Sequence, residues 1–243
     1  MKYLASIAYD GSKFYGFQRL NDLCTVQKNV EEALTKINKS EVSVKGAGRT
    51  DRGVHANDQK VAFSLEQNVP CEGLKEALNS ILKPYIYVKD VRIVDDDFHP
   101  RHDVEKKRYV YKINLGEFNP IVTDYITQIE YTLDVNKMKE VSKLFLGVHD
   151  FHNFVSGERE DYTCIIHDIK FEMEDNILNI IFEGKSFYRY MVRNLVGAMI
   201  EVARGKIEIK HVEKMLNSEE ELTTYTAPAQ GLYLDKIWYK DEI

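Results

Sequence analysis

The chain has 243 residues, 44% hydrophobic and 30% charged, and carries a formal net charge of −6. This length supports one large or two small folded domains, and its 15 Tyr and 11 Phe exclude a disordered polymer. The net charge alone weighs against a polyanionic partner. Three scattered cysteines, Cys24, Cys71 and Cys164, exclude a disulfide framework and fit a reducing compartment.

The start, MKYLASIAYDGSKF, reaches Asp10 too early to hold the apolar core of a signal peptide. No apolar run approaches the roughly 20 residues that span a bilayer. The expectation is a soluble, cytoplasmic protein with no membrane association.

Residues 2–9 read as a strand that stops at the turn signal Asp10-Gly11. Val26, Val30, Ala33, Leu34 and Ile37 recur at helical spacing, with Thr25 placed to cap. Residues 41–46 and 59–65 read as strands, 72–82 as a helix and 85–94 as a strand. The connection DDDFHPRHD, residues 95–103, follows, and the order then repeats. Strands are predicted over 107–114, 165–173 and 177–184, with a turn near Asp175-Asn176. Helices are predicted over 135–146, 188–203 and 208–216, and a last strand over 231–239. The pattern predicts an α+β protein of two ferredoxin-like β-α-β-β-α-β halves, residues 1–98 and 104–243.

Charge is unevenly spread. Arg101, Lys106, Lys107, Arg108 and Lys112 cluster in one segment, and Lys185, Arg189, Arg193, Arg204 and Lys206 in another. Acids gather at Asp95 to Asp97, Glu158 to Asp161, Glu172 to Asp175 and Glu219 to Glu221. Such segregation gives an acidic protein a positive face able to steer a polyanion; solvated helix and strand faces are the plainer alternative. On the long helix, Arg189, Arg193 and Gly197 are spaced by four and share a line. A mid-helix glycine costs about 1 kcal/mol against alanine, so Gly197 points to close approach by another backbone. Arg193, flanked by apolar residues, calls for a carboxylate partner, and Asp51 is a candidate.

The stretch GAGRTDRGVHA, residues 46–56, sets Asp51 between Arg49 and Arg52 on a bare backbone. It supports three readings. A phosphate cradle has only GxG spacing behind it. A structural turn held by the Asp side chain is the common case. A catalytic carboxylate would be kept ionised by the arginines and reached by substrate past the glycines. Two HxxH pairs, His99/His102 and His149/His152, lack a third ligand at zinc spacing, so no metal is expected.

GAGRTDRGVHA resembles the signature of pseudouridine synthases, in particular the bacterial tRNA pseudouridine synthase A family. YDGSKFYGFQ (9–18), DDFHPRHDVEKKRYVY (96–111), GVHDFHNF (147–154), SFYRYMVRNLVGAMIEV (186–202) and TAPAQGLYL (226–234) resemble further family blocks in the same order. The resemblance covers almost the whole chain. It implies a continuous mixed sheet with a central cleft, no cofactor, a tRNA substrate and a homodimer. Asp51 matches the catalytic aspartate, Tyr109 the tyrosine that stacks on the target base, and Arg193 the arginine that pairs with the aspartate. Arg49 matches an arginine associated with flipping the nucleotide out. Arg52, Arg101, Lys106, Lys107, Arg108 and Arg189 are expected to contact RNA.

The implied reaction converts uridine to pseudouridine in the anticodon stem-loop, at positions 38, 39 and 40. The sequence leaves attack at C1′, attack at C6 and a glycal route open. Competing readings are a sister enzyme acting on other tRNA or ribosomal RNA uridines, and a non-catalytic RNA-binding protein or chaperone. One departure is Cys164, where the family commonly carries an arginine.

Overall fold

The computed structural model describes residues 1–217 and 225–242 and has an α+β fold. The first elements are β1 (Lys2–Tyr9), α1 (Val26–Asn38), β2 (Lys45–Gly46), β3 (His55–Ser64), α2 (Cys71–Leu82) and β4 (Ile86–Ile93). Then follow β5 (Val104–Asn114), β6 (Thr127–Gln128), α3 (Val135–Ser142), β7 (Gly147–Asp150), β8 (Thr163–Glu174) and β9 (Ile177–Gly184). Helices α4 (Met191–Ala203) and α5 (Ile209–Leu216) and strand β10 (Leu232–Tyr239) complete the order. The chain divides into two compact units: Met1–Glu105 with the chain from Tyr233 onward, and Lys106–Leu232.

In the first unit β1 lies between β4 and β3, antiparallel to both. The second edge of β3 is shared. Its start pairs in parallel with β10 through Tyr233↔His55, and its end pairs with β2 through Gly46↔Val61. Thr25 caps α1 by accepting the Lys28 N–H, as predicted. Val26, Val30, Ala33 and Leu34 of α1 and Leu74, Leu78 and Leu82 of α2 are buried, each Val or Leu worth about 1.5–3 kcal/mol. Asn79 of α2 bonds both the N–H and the C=O of Val88, each at 2.8 Å, and so fixes β4 to the helix.

In the second unit β9 lies between β5 and β8, and β7 extends the β8 edge, all antiparallel. Asp175, at φ 51, turns β8 into β9 where the sequence marks a turn. Helix α4 buries Met191, Val192, Leu195, Val196, Met199 and Ile200 and packs beside α3.

Four sequence expectations change. The strand predicted over 41–46 shrinks to two residues, because the Val42 and Val44 N–H groups go to the side chains of Thr35 and Glu31 of α1. The helix predicted from 188 begins at Met191, because Tyr190 takes the left-handed conformation at φ 64. The last strand belongs with the first unit, not with the half drawn over 104–243. Its pairing to His55 and the bond from Ile237 N–H to Asp58 hold it there. The first helix of that half is shorter than 135–146, ending at Ser142 before a tighter turn over Lys143–Phe145. The acidic run Glu219 to Glu221 lies outside the described residues.

Candidate active site

The loop between β2 and β3 carries Asp51 at the head of a turn. The Val54 N–H donates to the Asp51 carbonyl at 3.1 Å, and Gly53 takes φ +82 at the third turn position. Asp51 is half-buried, while Arg49 and Arg52 on either side are exposed. Its neighbour Thr50 faces inward. Thr50 Oγ1 lies 2.8 Å from the hydroxyl of buried Tyr9, and its carbonyl accepts the Phe17 N–H at 3.0 Å. Burial, partly offset by bonds to Thr50 and Gln59, pushes the Tyr9 phenol up to about 12, so it stays protonated at neutral pH. Gln59 also donates to the Gly48 carbonyl at 3.1 Å.

Two glycines of YDGSKFYGFQ explain how that motif supports the loop. A Cβ on Gly11 would stand 2.0 Å from the Val54 carbonyl oxygen. A Cβ on Gly16, whose φ is +90, would stand 2.9 Å from the Thr50 oxygen and 3.3 Å from the Arg52 nitrogen. The first motif is therefore a seat for the Thr50–Val54 backbone. The Gly11 N–H donates to His55 Nδ1 at 3.0 Å, and an Asp10 carboxylate oxygen lies 3.5 Å from that same nitrogen. The imidazole stacks on Tyr233 at 4.7 Å.

In the second unit Tyr109 is buried on β5 opposite Phe182, with Phe187 edge-on at 5.2 Å. Arg193, in the first turn of α4, donates from Nε to the Ala227 carbonyl at 2.8 Å, and the Ala227 N–H donates back to the Arg193 carbonyl. Gly197, one turn on, makes this possible: a Cβ there would lie 1.5 Å from the Tyr225 carbonyl oxygen. The close approach inferred from that glycine is present, and the approaching segment is the C-terminal block. Asn194 adds a bond from the Thr226 hydroxyl at 2.7 Å. Arg189 does not share the helix with Arg193, since it precedes Met191. Both guanidinium groups instead flank the Tyr190 ring, at 5.0 and 4.8 Å.

The basic run Lys106-Lys107-Arg108 splits by strand alternation. Lys106 and Arg108 both bond Glu183 on β9, the latter through Nε and Nη2 at 2.8 and 2.6 Å. Burial works against ionisation of Glu183, but the bonds from Arg108 and Lys106 outweigh it and hold the carboxyl below the usual range. Lys107 points with Tyr109 and is buried, which departs from the surface contact expected of it. Arg101 is exposed, next to His99, whose Nδ1 accepts the N–H groups of Arg101 and His102. Among the described residues no group of three or more His, Cys, Asp or Glu is arranged to hold a metal ion. No helix among them is long and apolar enough to cross a membrane. Cys164 is buried, and its thiol donates to the Ser186 carbonyl at 2.7 Å; burial pushes the thiol up.

The sequence reading missed Tyr9, Gly11, Thr50 and Glu183. Only the glycine carried a signal, since a Gly after an Asp reads first as a turn.

The family model described as tRNA pseudouridine synthase matches residues 5–103 and 141–240. A tRNA pseudouridine synthase A of Pseudothermotoga lettingae is 40% identical over 238 residues, covering 96% of this chain and 97% of its own. One from Staphylococcus aureus is 40% identical over 246 residues, covering 100% of this chain and 92% of its own. A crystal structure of a Cbf5-Nop10-Gar1 complex aligns over 81% of this chain and 53% of its own, at 12% identity and a TM-score of 0.35.

Proposed function

Because this chain belongs to the tRNA pseudouridine synthase family, we propose that Asp51 is the carboxylate with which it isomerises uridine to pseudouridine in tRNA. In that reaction the N1–C1′ bond breaks, the uracil turns, and C5 bonds to C1′. The proton on C5 is released and N1 takes one up, so the change is an isomerisation with no net oxidation.

The observation that carries the assignment is the build of the Asp51 turn. Half-buried Asp51 follows exposed Arg49 by two positions and directly precedes exposed Arg52 in this turn, and neither arginine has an acidic partner among the described residues. Asp51 attacks the sugar or base carbon, or stabilises positive charge developing on the sugar. Tyr109 gives the uracil an aromatic surface while it is detached, and Arg193 supports the ionised carboxylate. Arg49 holds the flipped nucleotide, and Arg52, Arg101 and Arg189 hold phosphates. Lys106 and Arg108 join them through their exposed parts, tied to Glu183 at the other end. Buried Lys107 is assigned to support of Tyr109. The targets are uridines 38, 39 and 40 of the anticodon stem-loop, and the working form is a cytoplasmic homodimer.

Incubation with unmodified total RNA, followed by mapping of new pseudouridine, tests the reading. Anticodon-arm tRNA sites are expected. Sites in ribosomal RNA or elsewhere in tRNA would reassign the substrate, and no new sites would remove the activity. Tyr109→Leu is expected to lower turnover by roughly 100-fold while tRNA affinity changes little, given the value of a base–aromatic stack; loss of affinity alone would contradict the stacking role.

A further inference from the structure

Arg52, directly after Asp51, rests on an aromatic ring and not on an acid. Arg19, Arg92, Arg108 and Arg204 each pair with a glutamate, respectively Glu31, Glu242, Glu183 and Glu201. Arg52 makes no ion pair among the described residues. Its guanidinium carbon instead lies 4.4 Å from the centroid of the Tyr15 ring. Tyr15 is 43% exposed, so the pair stands at the surface.

Both members are firmly rooted. The Tyr15 N–H donates to the Cys24 carbonyl at 2.8 Å, and the next residue, Gly16, seats directly on the Thr50–Arg52 backbone. Arg52 is the second residue of the turn closed by the Val54 N–H, directly after Asp51. A long cationic side chain in that position would otherwise sample many rotamers. A ring face held beneath it limits the choice and leaves its N–H edge free to donate. A surface carboxylate would also have limited it, but would have neutralised the charge that a phosphate needs.

We propose that Tyr15 is a positioning residue that aims Arg52 at a backbone phosphate of the RNA beside the uridine held by Asp51. The inference rests on the assignment of Asp51 as the catalytic group. The ligand class is the phosphodiester, not the base: a guanidinium fork matches two phosphate oxygens, and the ring serves Arg52 instead of a nucleobase. One phosphate contact accounts for about one unit of the salt dependence of RNA affinity.

The test measures the affinity of full-length unmodified tRNA against salt concentration, together with single-turnover pseudouridine formation, in the whole protein. Arg52→Gln is expected to weaken binding roughly 10-fold at moderate salt and to lower the slope of log K against log salt by about 1. Tyr15→Leu should reproduce most of both changes, and Tyr15→Phe, which keeps the ring, should restore them. The double variant should be no weaker than Arg52→Gln alone. If Tyr15→Leu weakens binding with no change in slope, and adds fully to Arg52→Gln, then Tyr15 contacts a base directly and the proposal fails. If Arg52→Gln leaves affinity and slope unchanged, no phosphate lies there. A wild-type protein that makes no pseudouridine would overturn the enzyme assignment itself, an outcome distinct from either of these.

Discussion

The Asp51 turn and the Arg193 helix solve the same problem in opposite ways. In the first, the chemical group sits on the irregular segment, and the glycines that admit a neighbouring backbone, Gly11 and Gly16, lie in the supporting motif. In the second, the chemical group sits on a regular helix together with the glycine, Gly197, and the irregular segment is the support. A helix dictates where Arg193 leaves the backbone. A turn does not, so Asp51 depends on more distant contacts: Tyr9 to Thr50, Gln59 to Gly48, Gly11 to His55. The loop is thus the more vulnerable of the two.

Alanine at Gly11 and at Gly197 should expose that difference. Gly11→Ala forces the Val54 carbonyl to move and should cost about 2–3 kcal/mol of stability, with a loss of turnover larger than its loss of tRNA affinity. Gly197→Ala meets a nearer oxygen but regains about 1 kcal/mol of helix propensity. Its net cost should be smaller, and chemical denaturation of the two variants side by side checks the ranking. Equal costs would remove the contrast.

Tyr9→Phe deletes one buried hydroxyl and leaves the Thr50 hydroxyl without that partner. A loss of about 1–2 kcal/mol is expected, with turnover falling while substrate affinity holds. A stability change with no effect on turnover would show that Thr50 does not set the Asp51 position.

The smallest effect concerns Glu183. Its carboxyl is held below the usual range, so the stability it adds is present above the unfolded pKa and fades as pH falls through the lowered folded value. Glu183→Gln should cost about 0.5–1 kcal/mol near neutral pH, after allowing for the part-exposed Lys106 and Arg108. The gap from wild type should shrink in acid below roughly pH 4. A gap that widened in acid would contradict the sign.

What was legible in the sequence follows from the same contrast. Local rules sufficed for α1 and its Thr25 cap and for Gly197 as a close-approach site, because a helix fixes neighbours by spacing. They failed at residues 41–44, where α1 side chains take the backbone N–H groups that a strand would use. They failed at Tyr190, whose left-handed conformation delays α4. They also misjudged Lys107: a run of three cations reads as one surface, yet strand alternation turns the middle one inward. For the candidate site, the motif marked Asp51 but not its supports. Tyr9 and Thr50 meet across 41 positions of sequence, a separation no local pattern encodes.

The most direct test of the assignment uses tRNA carrying tritium at uridine C5, since the label leaves only when C5 bonds to C1′. Wild-type protein should release one tritium for each target uridine. Asp51→Asn should bind the same tRNA within a few-fold of wild type and release none over many wild-type half-times. Release by Asp51→Asn at the wild-type rate would show that another group carries out the reaction.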